Sequence, residues 1–237
     1  MAGGNSLEGR EQKKGIAVNT LYTMGGLLFM NAVLQIVITP LLNRMMGAEQ
    51  LGGLLYITGL VAIICPSIGQ ALNNSRLVVR RDFDVTNGDY DWLLLGFGLI
   101  GSIVALFMSG KSLESPLMAA GVFLMFMLTV FRYYGDVEYR LNLNYRRYFI
   151  YYFLIGIGYL AGFGIYRLTG QWVWIYLIGE AAALAFVGVT GNIFSSVFQK
   201  KRIFYDGTRS RLFSYVIVSY YQYDNEYGSP CDQTDPR

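Results

Sequence analysis

I-A-V-N-T-L-Y-T-M-G-G-L-L-F-M-N-A-V-L-Q-I-V-I-T-P-L-L, residues 16–42, decides the fold. The run holds no Asp, Glu, Lys or Arg. Crossing the hydrocarbon core of a bilayer takes roughly 20 helical residues, so this stretch is long enough to span. It is too long for the apolar part of a cleaved leader, and no small-residue cleavage pattern follows it.

Five further stretches repeat the pattern: 51–74, 92–109, 116–134, 148–166 and 172–198. Pro116 opens the fourth, where a first helical turn tolerates proline. A seventh starts at Leu212 with L-F-S-Y-V-I-V-S-Y and then loses its apolar character. The whole chain agrees. Its 237 residues are 54% hydrophobic and 15% charged, against about 45–50% and about 25% in soluble domains. The fold expected is an all-α integral membrane bundle of six transmembrane helices plus the start of a seventh. Residues 1–15 form a polar tail, 16–219 the bundle and 220–237 a second polar tail.

Charge placement sets the orientation. With the N-terminus in the cytoplasm, fifteen basic residues fall inside: Arg10, Lys13, Lys14, Arg76, Arg80, Arg81, Arg132, Arg140, Arg146, Arg147, Lys200, Lys201, Arg202, Arg209 and Arg211. Three fall outside: Arg44, Lys111 and Arg167. That asymmetry obeys the positive-inside rule. The net charge of +3 is then topology, not a footprint for nucleic acid. Basic turns beside helices can also meet the anionic headgroups of membrane lipids. Trp92, Trp172, Trp174, Tyr148, Tyr151 and Tyr152 sit near span ends, where amphipathic rings favour the interface.

The chain has no histidine, which removes His-based nucleophile systems and His-ligated metal sites. Cys65 and Cys231 offer neither a C-x-x-C motif nor a disulfide framework. No metal and no cofactor is expected. The external loops, about 43–50, 110–115 and 167–171, are too short for a catalytic lid, so a membrane-bound polymerase or ligase is the least favoured class.

Polar residues inside spans cost free energy unless paired or wet. Asn31 and Gln35 are four apart in the first span, and Gln70 and Asn74 are four apart in the second. Each pair shares a helical face. These amides either bond between helices or line a hydrophilic cavity. Glu180, about 12 Å into the sixth span, must be neutral, paired or facing water. Gly158-x-x-x-Gly162 fits the small-xxx-small pattern of close helix packing.

N-T-L-Y at 19–22 and T-P-L-L-N-R-M-M-G-A-E-Q-L-G at 39–52 resemble the opening of bacterial polysaccharide-biosynthesis flippases. These belong to the multidrug/oligosaccharidyl-lipid/polysaccharide exporter superfamily. V-E-Y-R-L-N-L-N-Y at 137–145, G-Y-L-A-G-F-G-I-Y at 158–166 and G-Q-W-V-W at 170–174 match the same style, so the resemblance covers 16–219. It implies the N-terminal bundle of a two-bundle transporter of the bacterial cytoplasmic membrane, and not an enzyme. The implied cargo is an undecaprenyl-pyrophosphate-linked oligosaccharide for O-antigen or capsule, moved by alternating access, with glycan-assembly proteins as partners. Arg44 and Arg76 match the cationic lining that a diphosphate needs. A drug or cation exporter of the same superfamily is the alternative, and it would show acidic cavity residues outnumbering basic ones.

Relatives of that kind carry about twice as many helices. From Tyr221, a reading frame one base forward permits I-N-M-T-M-N-M-D-R-L-V-I-K-P-I-L, which would continue the seventh helix. The expectation is therefore a frameshifted, truncated copy whose activity alone is in question.

Overall fold

The computed structural model describes the backbone of residues 4–82, 87–110, 113 and 115–191. The expectations for Asn192, the seventh span at Leu212, Cys231 and the tail at 220–237 lie outside the described residues. Among those described there is no strand, and six helical segments are long and apolar enough to cross a membrane. The protein is an all-α, multi-pass membrane bundle.

The elements in chain order are α1 (Gly4–Ala32), a π-helical segment (Val33–Ile38), α2 (Thr39–Met45), α3 (Ala48–Asp82) and α4 (Asn87–Ser109). They continue with α5 (Pro116–Gly135), α6 (Val137–Leu141), α7 (Tyr145–Thr169) and α8 (Val173–Thr190). The end of the bundle where α1 begins is called the near end below, and the opposite one the far end. The stretch expected as a free tail is already helical from Gly4, so α1 starts well before its apolar part. Helix α8 closes at Thr190, where Gly191 turns extended, and the rest of the expected sixth span, 192–198, lies outside the described residues.

The first span is not a uniform α-helix. Pro40 has no N–H to donate, and its ring crowds the preceding turn. The chain answers with a wide turn in which Thr39 N–H bonds Leu34 O, while Thr39 Oγ1 also donates to Leu34 O at 2.8 Å. The wide turn shows in the burial pattern. Met30, Val33, Ile38 and Leu42 are the buried apolar residues of this span, and the step from Val33 to Ile38 is five residues. An α-helix repeats its face at three or four residues. The extra residue keeps Ile38 and Leu42 turned inward on both sides of the proline.

The helices form two groups of three. α1, α7 and α8 pack together with α7 in the middle, α3, α4 and α5 pack mutually, and α5 against α8 joins the groups. Glycines set the approach of α7 to α8. A Cβ on Gly158 would sit 2.7 Å from Gly179 Cα, and one on Gly162 would sit 2.6 Å from Ile175 Cα. Backbones that close leave no room for a side chain, so the small-xxx-small expectation is met here. α5 and α8 run parallel: Gly121 faces Val173 and Gly135 faces Val187 at one constant offset.

The outer surface is apolar. Ile36, Ile63, Phe107, Leu117, Leu168 and Val189 are each more than 60% exposed. In water such a surface would be an aggregation hazard, whereas in lipid it is the ordinary exterior of a spanning helix.

Candidate functional site

Three polar regions stand out against this apolar frame. The first is a buried cluster at mid-depth. Glu180 on α8 is 2% exposed and Arg132 on α5 is 6% exposed. Arg132 Nε lies 3.1 Å from Glu180 Oε2, close enough for an ion pair but off hydrogen-bond alignment. Tyr159 of α7 donates its hydroxyl to Glu180 Oε1 at 3.1 Å. The guanidinium also reaches Met30 Sδ of α1 at 3.5 Å and lies 4.5 Å from the centre of the Tyr133 ring. One ion pair thereby touches α1, α5, α7 and α8. The parallel register puts Glu180 roughly one turn farther from the near end than Arg132, and the long arginine stem closes the gap.

A tyrosine layer backs this cluster toward the near end. Tyr151 Oη donates to Arg132 O at 3.0 Å, and Tyr152 Oη donates to Asp136 Oδ2 at 2.9 Å. Arg140 closes the layer with a 3.1 Å bond to Asp136 Oδ1. Tyr148, Tyr151 and Tyr152 therefore correct the expectation of interfacial anchors: all three are buried. Their rings fill the core and their hydroxyls satisfy polar groups that would otherwise be bare. Trp172 is likewise buried, while Trp92 and Trp174 stay exposed as expected.

The second region is at the near end of α3, α4 and α5. Arg76, expected as a loop charge and a phosphate ligand, is 3% exposed. Its Nη1 donates to Tyr134 Oη at 3.2 Å, and its Cζ lies 5.3 Å from that ring's centre. Asn73 donates to Tyr133 O at 3.1 Å and so ties α3 to α5. Asp91 of α4 is 4% exposed and feels the charge of Arg76. Among the described residues both of its carboxylate oxygens lack a hydrogen-bond partner, as do Arg76 Nε and Asn73 Oδ1. Arg76 and Arg132 thus leave the loop-charge count, without reversing its asymmetry.

The amides singled out in the sequence do not converge. Asn31, Gln35, Gln70 and Asn74 are all exposed on the flanks of the bundle. Asn31 Nδ2 turns back to Leu27 O at 2.9 Å, within its own helix. Interhelical amide bonding is done by Asn73. Arg44 is exposed on the last turn of α2, far from Arg76 at the other end of α3. The expected site residues therefore lie in separate places and build no single described site.

The third region is a cavity of about 750 Å³ at the far end. It opens where the start of α3, the start of α5 and the α7–α8 turn meet, bounded by both groups of helices. Glu49, Gln50, Ser115, Gln171 and Trp172 are among its lining residues. Glu49 is the one charged side chain among the described lining residues. Gly170 makes the turn possible: it closes α7 at φ 73°, a left-handed conformation that favours glycine.

Sequence reasoning missed Arg132, Tyr159, Asp91 and the far-end lining. Arg132 stood at a span edge and was counted as an orientation charge, and Asp91 stood just outside the span expected at 92–109. Tyr159 lay in an apolar run with nothing nearby in sequence to mark its partner. No protein family, curated protein or solved structure matches this chain.

Proposed function

We propose that the chain serves in translocating an undecaprenyl-diphosphate-linked oligosaccharide across the bacterial cytoplasmic membrane, with its N-terminus inside, for assembly of surface polysaccharide. The observation that supports this most is the polar stripe of Asn31 and Gln35, exposed midway along the first span. The residue between them and the far end, Ile36, is 73% exposed and suits lipid. Asn31 satisfies one donor on Leu27 O of its own helix, but the other amide groups of the stripe do not suit lipid, since hydrocarbon offers them no partner. The stripe calls for water or a polar headgroup passing beside α1. It sits where the π turn has already loosened the helix. The likeness of residues 19–22 and 39–52 to polysaccharide flippases supplies the cargo class.

Deleting the gene should abolish surface polysaccharide and leave the lipid-linked oligosaccharide on the inner leaflet. A wild-type copy should restore display, and a Gln35→Leu copy should restore less. A deletion strain with undiminished surface glycan overturns the proposal.

A second reading is export of an organic cation. It is favoured by one observation, the acidic Glu49 without a basic counterpart among the described cavity-lining residues. Raised sensitivity to lipophilic cations on deletion, reproduced by Glu49→Gln, would select it.

A further inference from the structure

We propose that the far-end cavity is a binding site for a neutral, hydroxyl-rich ligand, the saccharide portion of the cargo. This rests on the translocation reading above and adds to it a place. Phosphate recognition is the work of Arg, Lys or helix N-terminal amides in concert. The described lining has neither an Arg nor a Lys, and Glu49 would repel an anion.

Cation recognition needs an acidic or aromatic cage around the charge. Here Glu49 is exposed, and Trp172 is 4% exposed with its ring set edge-on to Tyr176 at 6.1 Å. Trp172, the one aromatic ring among the described lining residues, is thus almost wholly covered.

What remains is a mixed set of short-range polar groups on an apolar wall. Glu49 accepts hydrogen bonds, and the Gln171 amide both donates and accepts. Ser115 Oγ accepts from Met118 N–H at 3.2 Å as the cap of α5, so its hydroxyl hydrogen is left to donate. Sugar hydroxyls are donors and acceptors at once, and sugar C–H faces suit side chains such as Leu54 and Met118. The volume, about 750 Å³, lies inside the range of about 300–1,000 Å³ usual for ligand sites. Val173, at the wall of this cup, packs on Gly121, and toward the near end the Arg132–Glu180 pair ties the same two helices, α5 and α8.

The test uses the full chain in detergent and three neutral probes: chitotriose, maltotriose and mannotriose. Saturation-transfer NMR should show at least one bound. Gln171→Ala, in the α7–α8 turn, should weaken that probe by about tenfold, the equivalent of ~1.4 kcal/mol. Gly53→Leu, which fills the cup, should abolish binding. Glu49→Gln should change it by less than about threefold, since the amide still accepts. Neither pyrophosphate nor tetraphenylphosphonium should compete. If none of the three sugars binds, or if tetraphenylphosphonium binds in a Glu49-dependent way instead, the assignment is wrong. Lost sugar binding in Gln171→Ala with glycan display unchanged in cells also overturns it, while leaving the translocation reading standing. Intact binding in a strain whose glycan display never depended on the gene overturns the translocation reading and leaves the site.

Discussion

Glu180 and Asp91 are both carboxylates buried inside membrane-spanning helices, at 2% and 4% exposure. Their housing differs. Glu180 has Arg132 at 3.1 Å and the Tyr159 hydroxyl at 3.1 Å, one on each oxygen. Among the described residues Asp91 has no hydrogen bond on either oxygen, and Arg76, its countercharge, bonds to Tyr134 instead. Burial alone thus says little about a carboxylate. A partnered one ties helices together, whereas one without a hydrogen bond adds no such tie. The first kind should be costly to remove and the second cheap.

Five variants would break or sharpen that contrast, each read as unfolding free energy in detergent. Arg132→Met should have the largest effect. Stripping one member from a buried pair leaves a bare charge, at a cost of about 3–5 kcal/mol. The double change Arg132→Met with Glu180→Leu should recover most of that loss. A double variant no better than the single one would mean that the charges are not coupled. Next comes Glu180→Gln, which keeps an acceptor for Tyr159 but leaves Arg132 uncompensated, for a loss of about 2–3 kcal/mol.

Tyr159→Phe removes one hydroxyl donor and should cost about 1–1.5 kcal/mol. The smallest effect should be that of Asp91→Asn, within about 1 kcal/mol of the native chain in either direction, because no hydrogen bond is lost. A loss at Asp91 equal to that at Glu180 would erase the contrast.

The spans were legible because hydrophobic length is a local signal that survives without knowledge of neighbours. Pro116 and the Gly158–Gly162 pair were legible for the same reason: each acts through its own helix or the next one. Glu180 could be marked as needing a partner, but not given one. Arg132 lies on another helix at the inner edge of a span, where arginine ordinarily counts toward orientation. Arg76 misled in the same way. The amides failed differently: four-residue spacing tells which residues share a face, not what that face meets. The wide turn had a signal that went unread, since Pro40 lies inside a spanning stretch and must displace a backbone bond.

The wide turn at Val33–Ile38 carries one more consequence. It holds a spare residue, and a helix can give up a spare residue without losing phase. Deleting Val37 should let the segment relax to an ordinary α-helix, with Met30 and Leu42 still on one side. The same deletion elsewhere in the span would swing everything beyond it by about 100°, pointing Leu42 into lipid. The first span thus has a single site at which its length can change by one without scrambling what it touches.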